Sequence, residues 1–89
     1  MIRHLIKILD ILRARRDAGD IDAATTILDV LDLCDKTLTK RATNILINKY
    51  MFGIDDDSQC KKYNITLNTL QSINARSFHK LEKAEKELW

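Results

Sequence analysis

An all-α fold, a compact bundle of four to five helices, is predicted by three observations. The chain of 89 residues has no proline and two glycines, so it lacks the turn chemistry that a many-stranded fold consumes. Its composition, dominated by Leu, Ile, Ala, Lys and Asp, favours helix over sheet. Apolar residues recur at intervals of three and four, and no alternating stretch persists as a strand would. A chain of this length makes one domain, 1–89, and buries roughly 60–65% of its unfolded surface, enough for a modest core without staples.

The first helix is predicted over about Ile2 to Asp17. Ile2, Leu5, Ile6, Leu9 and Leu12 form its core stripe, and Ile8 and Ile11 widen it, so its apolar face is broad enough for contact on two sides or with a partner. Gly19 suits the left-handed position beyond its end. Asp20 then caps a second helix, Ile21 to Asp35, on which Ala24, Ile27, Leu28, Leu31 and Cys34 or Asp35 follow the helical rhythm. Thr37 or Thr39 caps a third helix with Ala42, Ile45, Leu46, Lys49 and Phe52 on one face, ended by Gly53. Ile54 to Lys62 reads as a polar loop. Asn64 or Thr66 caps a short fourth helix containing Leu67 and Leu70. A fifth helix starts at Asn74, its N-cap, with Phe78, Leu81 and Leu88 on the apolar side and Arg76, His79, Lys80, Lys83 and Lys86 on the other. The N-terminal helical pair, 1–37, precedes this C-terminal part, 38–89.

Several function classes find no support. No run approaches the roughly 18–20 apolar residues of a membrane span. The opening M-I-R-H-L-I-K-I-L-D is interrupted by Lys7 and Asp10, and no small-residue cleavage site follows, so it reads as helix rather than as a signal peptide. Cys34 and Cys60 show no metal or redox spacing, which points to packing thiols in a reducing cytoplasm. Asp55, Asp57 and Gln59 alternate like calcium ligands, but the sixth and twelfth positions of such a loop hold Cys60 and Thr66 instead of Gly and Glu. Asn64-Ile65-Thr66 spells a glycosylation sequon that an intracellular chain never uses. His4 and His79 lie at opposite ends, neither beside a nucleophile, and no glycine-rich phosphate loop occurs. No enzyme, cofactor or metal is expected. Arg13, Arg15 and Arg16 close the first helix, where its dipole favours cations.

The net charge of +2 is unevenly spread. Residues 1–20 carry five basic and three acidic groups, residues 21–60 four and seven, and residues 61–89 six and three. The basic C-terminal part holds the one constellation with a functional reading. Q-S-I, between Leu70 and Asn74, is short enough for the turn of a helix-turn-helix. The following helix would present Ala75, Arg76, Ser77, His79, Lys80 and Lys83 to DNA.

Two segments carry a family resemblance. L-T-K-R-A-T-N-I-L-I-N-K-Y-M-F-G-I, Leu38 to Ile54, has an L-T-x-R start and an aromatic-Gly-Ile end. S-I-N-A-R-S-F-H-K-L-E-K-A-E-K-E-L, Ser72 to Leu88, has a cap at Asn74, apolar positions at Phe78 and Leu81, and a Leu81-Glu82 pair. Together they resemble region 4 of bacterial primary sigma factors and the sigma-like late-transcription regulators of phages, over a little more than half the chain. Where that family carries contact arginines, this chain has Ala75, Ser77 and His79, leaving charge to Arg76, Lys80 and Lys83. The resemblance implies a small transcription regulator of phage or mobile-element origin, acting on DNA, RNA polymerase or both, with Arg76, His79 and Lys80 in the major groove and Lys61, Lys62, Lys83 and Lys86 near the backbone. The apolar first helix and acidic centre fit an alternative: a helical protein–protein module, an inhibitor or adaptor of a host protein that reads no DNA. A homodimer through the first helix is a variant of it.

Overall fold

The computed structural model describes residues 1–88. The side chain of Leu88, assigned above to the apolar side of the last helix, lies outside the described residues, as does Trp89. Among the described residues are six helices and no strand: α1 (Ile2–Lys7), α2 (Leu9–Asp17), α3 (Ile21–Thr37), α4 (Lys40–Tyr50), α5 (Asp56–Tyr63) and α6 (Leu67–Leu88). They form a slab of 38 × 31 × 18 Å, about two helix layers deep. The predicted all-α architecture is present, with three changes to its elements.

The first change is that the helix expected over Ile2 to Asp17 is two helices. The break falls at Ile8, whose backbone leaves the helical region at φ −107° and ψ 16°. Neither proline nor glycine causes it; packing does. α1 lies on α4 and α6, whereas α2 makes its main contact with α3. Bending at Ile8 allows Ile2 and Ile6 on one side, and Leu9 and Leu12 on the other, to be buried against these different neighbours. Ile11 stays half exposed at 50%. The broad apolar stripe thus belongs mostly to this chain's own core.

Helix α2 ends as its sequence predicts. Gly19, at φ +98°, makes the two bonds of a Schellman closure: its own N–H donates to the Arg16 carbonyl at 2.9 Å, and that of Asp20 to the Arg15 carbonyl at 3.0 Å. The Asp20 carboxylate then accepts from the Ala23 N–H at 3.1 Å, capping α3. Arg13 departs from the dipole reading. It reaches out of α2 to the Met51 carbonyl at 3.5 Å and lies over the Phe52 ring at 4.8 Å, tying α2 to the end of α4.

Of the two candidate caps, Thr39 starts α4, accepting from the Ala42 N–H at 3.2 Å. Ile45, Leu46 and Thr43 are buried, while Phe52, expected on the core face, lies beyond the helix end and is 52% exposed. The second change is α5, which occupies the stretch read as a loop. Asp55 caps it through the Ser58 N–H at 2.7 Å. Acidic Asp56 and Asp57 fill its first turn and Lys61 and Lys62 its last, the arrangement the helix dipole favours. Its one buried side chain is Gln59, fully enclosed, which donates to the Ile45 carbonyl of α4 at 3.0 Å and accepts from Asn48 at 3.4 Å.

The third change concerns the predicted turn. Residues 71–73 are helical, and α6 runs without interruption for 22 residues. The break comes earlier, at Asn64 to Thr66. Asn64 takes the left-handed conformation at φ 54° and ψ 51°, and the Ile65 N–H closes α5 on the Cys60 carbonyl at 3.0 Å. Thr66 caps α6 through the Thr69 N–H at 3.2 Å. Asn74 is therefore no cap. It sits mid-helix with its Oδ1 buried and unpartnered.

α6 touches α1, α3, α4 and α5. Leu70, Ser77, Phe78 and Leu81 are its buried side chains. Phe78 packs edge-on against Tyr50, with ring centroids 5.9 Å apart, and lies beneath the Arg3 guanidinium at 4.9 Å. Arg3 also donates to Glu82 through Nε at 3.0 Å and Nη2 at 2.6 Å, holding the start of the chain on α6.

Two expected outcomes test this arrangement. Asn74→Leu removes an unsatisfied buried oxygen and adds helix propensity, for a gain of about 1 kcal/mol. The melting temperature should rise by about 4–8 °C in calorimetry; a melt unchanged or lowered would contradict the interior placement. The Ser58 contact holds the Asp55 carboxyl below its ordinary value of 3.8. Its stabilisation is therefore present above that value and lost as pH falls through the depressed one. Asp55→Asn keeps a capping oxygen but does not titrate, so urea unfolding between about pH 5 and pH 2 should show a shallower acid loss than wild type.

Candidate nucleic-acid interface

Four helices crowd one side of α6 and leave the other to solvent. Along that open side the first two turns carry exposed Asn68, Thr69, Gln71 and Ser72, and the later turns carry Ala75, Arg76, His79, Lys80, Lys83 and Lys86, also exposed. Asn68, Ser72, Ala75 and His79 follow a 4-3-4 spacing and share one stripe, flanked by Arg76 and Lys83. Of the six residues predicted from the sequence, Ala75, Arg76, His79, Lys80 and Lys83 lie on this surface. Ser77 does not: it is 3% exposed, faces the core and donates to the Ile73 carbonyl at 2.7 Å. It is corrected from a surface position to an interior one.

Two of the three acidic residues on α6 are engaged by the start of the chain, and the third, Glu87, is exposed near the helix end. Glu82 is engaged by Arg3, and one Glu85 oxygen stands 3.5 Å from the Met1 amino group. Arg76, Lys80 and Lys83 have no carboxylate partner among the described residues. None of the three is neutralised by a direct ion pair.

Neighbouring helices extend this charge. A shallow cleft between α4 and α6 is lined by Leu38, Thr39, Ala42, Ile73, Arg76, Ser77 and Lys80. It opens beside the start of α4, whose first turn has no acidic residue and contains Lys40 and Arg41. Cations there oppose the helix dipole, so the region is left attractive to anions. Arg41 lies over the Tyr63 ring at 5.9 Å and Lys62 over the same ring at 5.6 Å. Tyr63 therefore gathers a cation from α4 and one from α5 immediately ahead of the turn into α6. A second groove, lined by His79, Glu82, Lys83 and Lys86, continues along the later turns.

The sequence reading did not place Asn68, Thr69, Gln71 and Ser72 on this surface because it set a turn at residues 71–73 and so split α6 in two. Thr66, one of its two candidate caps for the earlier piece, is the cap of the whole helix. The cysteines offer no chemistry at this surface. Cys34 is fully buried, and burial first, with the Asp35 charge second, pushes its thiol up to about 11. Among the described residues no group of His, Cys, Asp and Glu is placed to hold a metal ion, and no helix is long and apolar enough to cross a membrane. Comparison with protein-family models, curated proteins and solved structures finds no match to this chain.

A thiol-reactive probe checks the packing around the cysteines. At neutral pH, half-buried Cys60 should react in the native protein, while Cys34 should react only after denaturation. Equal reactivity of both under native conditions would contradict the burial of Cys34.

Proposed function

We propose that this protein is a small DNA-binding transcription regulator in which α5, the Asn64–Thr66 turn and α6 act as a helix-turn-helix. The observation that carries this reading is the division of α6. Exposed amide and hydroxyl side chains occupy its first turns, and unpaired cations follow on the same open side. A recognition helix meets base edges with its N-terminal residues and the phosphate backbone with what flanks them. Asn68 and Gln71 are suited to adenine edges, and Thr69 and Ser72 to either donors or acceptors. Starting the helix at Leu67 instead of Ala75 moves it back by two turns, about 12 Å. Arg76, Lys80 and Lys83 then serve the backbone instead of the base edges. Lys40, Arg41, Lys61 and Lys62 supply phosphate contacts on the other side.

Within this reading, the sigma-region-4 resemblance is kept for Leu38 to Ile54, and the turn expected at residues 71–73 is given up. A regulator of phage or mobile-element kind, working in the cytoplasm with RNA polymerase as a second partner, remains the proposed setting. The sparse positive charge, +2 overall, fits a protein whose non-specific DNA affinity is weak and strongly salt-dependent.

Fluorescence anisotropy with labelled duplex DNA at about 50 mM salt tests this. Binding is expected, and the combined substitution R76A/K80A/K83A should reduce the slope of log K against log salt by about 3. Asn68→Ala with Ser72→Ala should leave random-sequence affinity unchanged. The same pair should erode the preference for a selected sequence by about 1–3 kcal/mol per lost base contact. Absence of binding by the wild type at low salt overturns the reading.

A further inference from the structure

Helix α3 carries two apolar stripes, and the core uses one of them. Ala23, Ile27, Val30 and Cys34 are buried. Ile21, Ala24, Leu28 and Leu31 form a second 3-4-3 row on another side of the helix. Ile21 is 79% exposed and Leu28 66%, and Ala24 and Leu31 are half-buried beside them. A 3-4-3 row of this kind is the seam that one helix offers to another in a coiled coil. It spans about 15 Å, roughly three turns.

The charge beside this seam is acidic. The exposed positions of α3 include Asp22, Asp29, Asp32 and Asp35 against a single cation, Lys36, which is already paired with Asp32 at 2.8 Å. No cation of this protein pairs with Asp22, Asp29 or Asp35 among the described residues. This pattern selects the occupant. Two copies meeting seam to seam would oppose aspartate to aspartate. A head-to-tail contact would match the acidic α3 with the basic side of α6, but that side offers no apolar row to fill the seam. DNA would be repelled. What fits is a helix with apolar residues at 3-4 spacing, flanked by lysine or arginine.

We propose that the exposed face of α3 is a docking surface for a cationic amphipathic helix of a partner protein. Apolar residues of that helix pack on Ile21, Leu28 and the exposed edges of Ala24 and Leu31. Its flanking cations meet Asp22, Asp29, Asp32 and Asp35, and steer the encounter. The surface is on a different helix from the proposed DNA contact, so both can be occupied together.

The test uses the intact protein and two synthetic helical peptides with leucine at the seam positions, one flanked by lysine and one by glutamate. Amide-resolved NMR titration is expected to show the lysine peptide shifting signals of α3, with affinity falling as salt rises, and the glutamate peptide shifting none. Ile21→Ser with Leu28→Ser should weaken the lysine peptide by about tenfold or more. Both positions are exposed, so the melting temperature should hold. Asp29→Lys with Asp32→Lys should reverse the peptide preference. Equal binding of both peptides, or binding indifferent to the seam substitutions, overturns the proposal. So does a light-scattering mass near twice 10.3 kDa that returns to 10.3 kDa in the seam variant, since the seam would then be filled by a second copy.

Discussion

The fold depends on α6 being one uninterrupted helix. At about 1.5 Å per residue its 22 residues span roughly 33 Å, close to the long dimension of the molecule. α1, α3, α4 and α5 pack on it. Its inner side is spaced for that role: Leu70, Asn74, Ser77 and Leu81 follow a 4-3-4 rhythm, and Phe78 broadens it. Leu70 and Leu81 are fully buried, each a contribution of about 2 kcal/mol from apolar burial. A turn at residues 71–73 would have broken the phase between Leu70 and Leu81 and left one of them without a core. Continuity on the inner side fixes continuity on the outer side. The open face is therefore a straight edge, polar at its start and basic towards its end.

With an aromatic content of 6%, the elements are joined largely by aliphatic burial and a few contacts that use one side chain twice. Arg3 stacks on Phe78 and pairs with Glu82, both on α6. Arg13 stacks on Phe52 and donates to Met51. The Arg3–Glu82 pair is half exposed, so its energy is small, within about 1 kcal/mol. Its larger effect is to engage one of the three acidic groups of α6, which also carries Arg76, Lys80, Lys83 and Lys86. Gln59 is different in kind. It is enclosed, and its amide is satisfied at both ends, so it locks α5 to α4 by direction rather than by area.

What the sequence disclosed follows from these energetics. α3 and α4 were legible as elements because apolar periodic runs follow true caps at Asp20 and Thr39, but the core face of α3 was misplaced: Ala23, Val30 and Leu33 are buried beside Ile27 and Cys34, while Leu28 is exposed and Ala24 and Leu31 are half-buried. α5 was not, because its buried residue is a glutamine and hydrophobic periodicity is silent about it. Its charge pattern, acidic at Asp55 to Asp57 and basic at Lys61 and Lys62, was the readable sign. The break at Ile8 was not legible either. The local sequence is good helix, and the bend exists only because α1 and α2 have different neighbours. At the candidate site, five of the six proposed residues lie on the exposed side of the helix and Ser77 does not. The helix start was misplaced because Asn74 has the chemistry of a cap. A cap becomes one only where the chain has already left the helix, and here the preceding helix had not ended. Ser77 was misjudged for the same reason, since its side of the helix is set by Leu70 and Leu81 and not by the nearest cations.

The small net charge conceals a separation. α3 gathers four aspartates, and the outer side of α6 gathers Arg76, Lys80, Lys83 and Lys86, at +2 for the whole chain. In a folded chain with both signs free to mix, neighbouring opposite charges lower the energy, as Lys36 and Asp32 do. Here Asp22, Asp29 and Asp35 on one helix, and Arg76, Lys80 and Lys83 on another, are left without an ion-pair partner among the described residues. Exposed single-sign surfaces act instead at a distance of about a Debye length, roughly 8–10 Å, by attracting one class of partner and repelling the other. The α3 surface adds an apolar seam to its field, and the α6 surface adds hydrogen-bonding amides. In the reading proposed here, the first combination is matched by a basic helix and the second by duplex DNA. Under that proposal the two ligands do not compete, because each would meet its own sign of charge on the other surface.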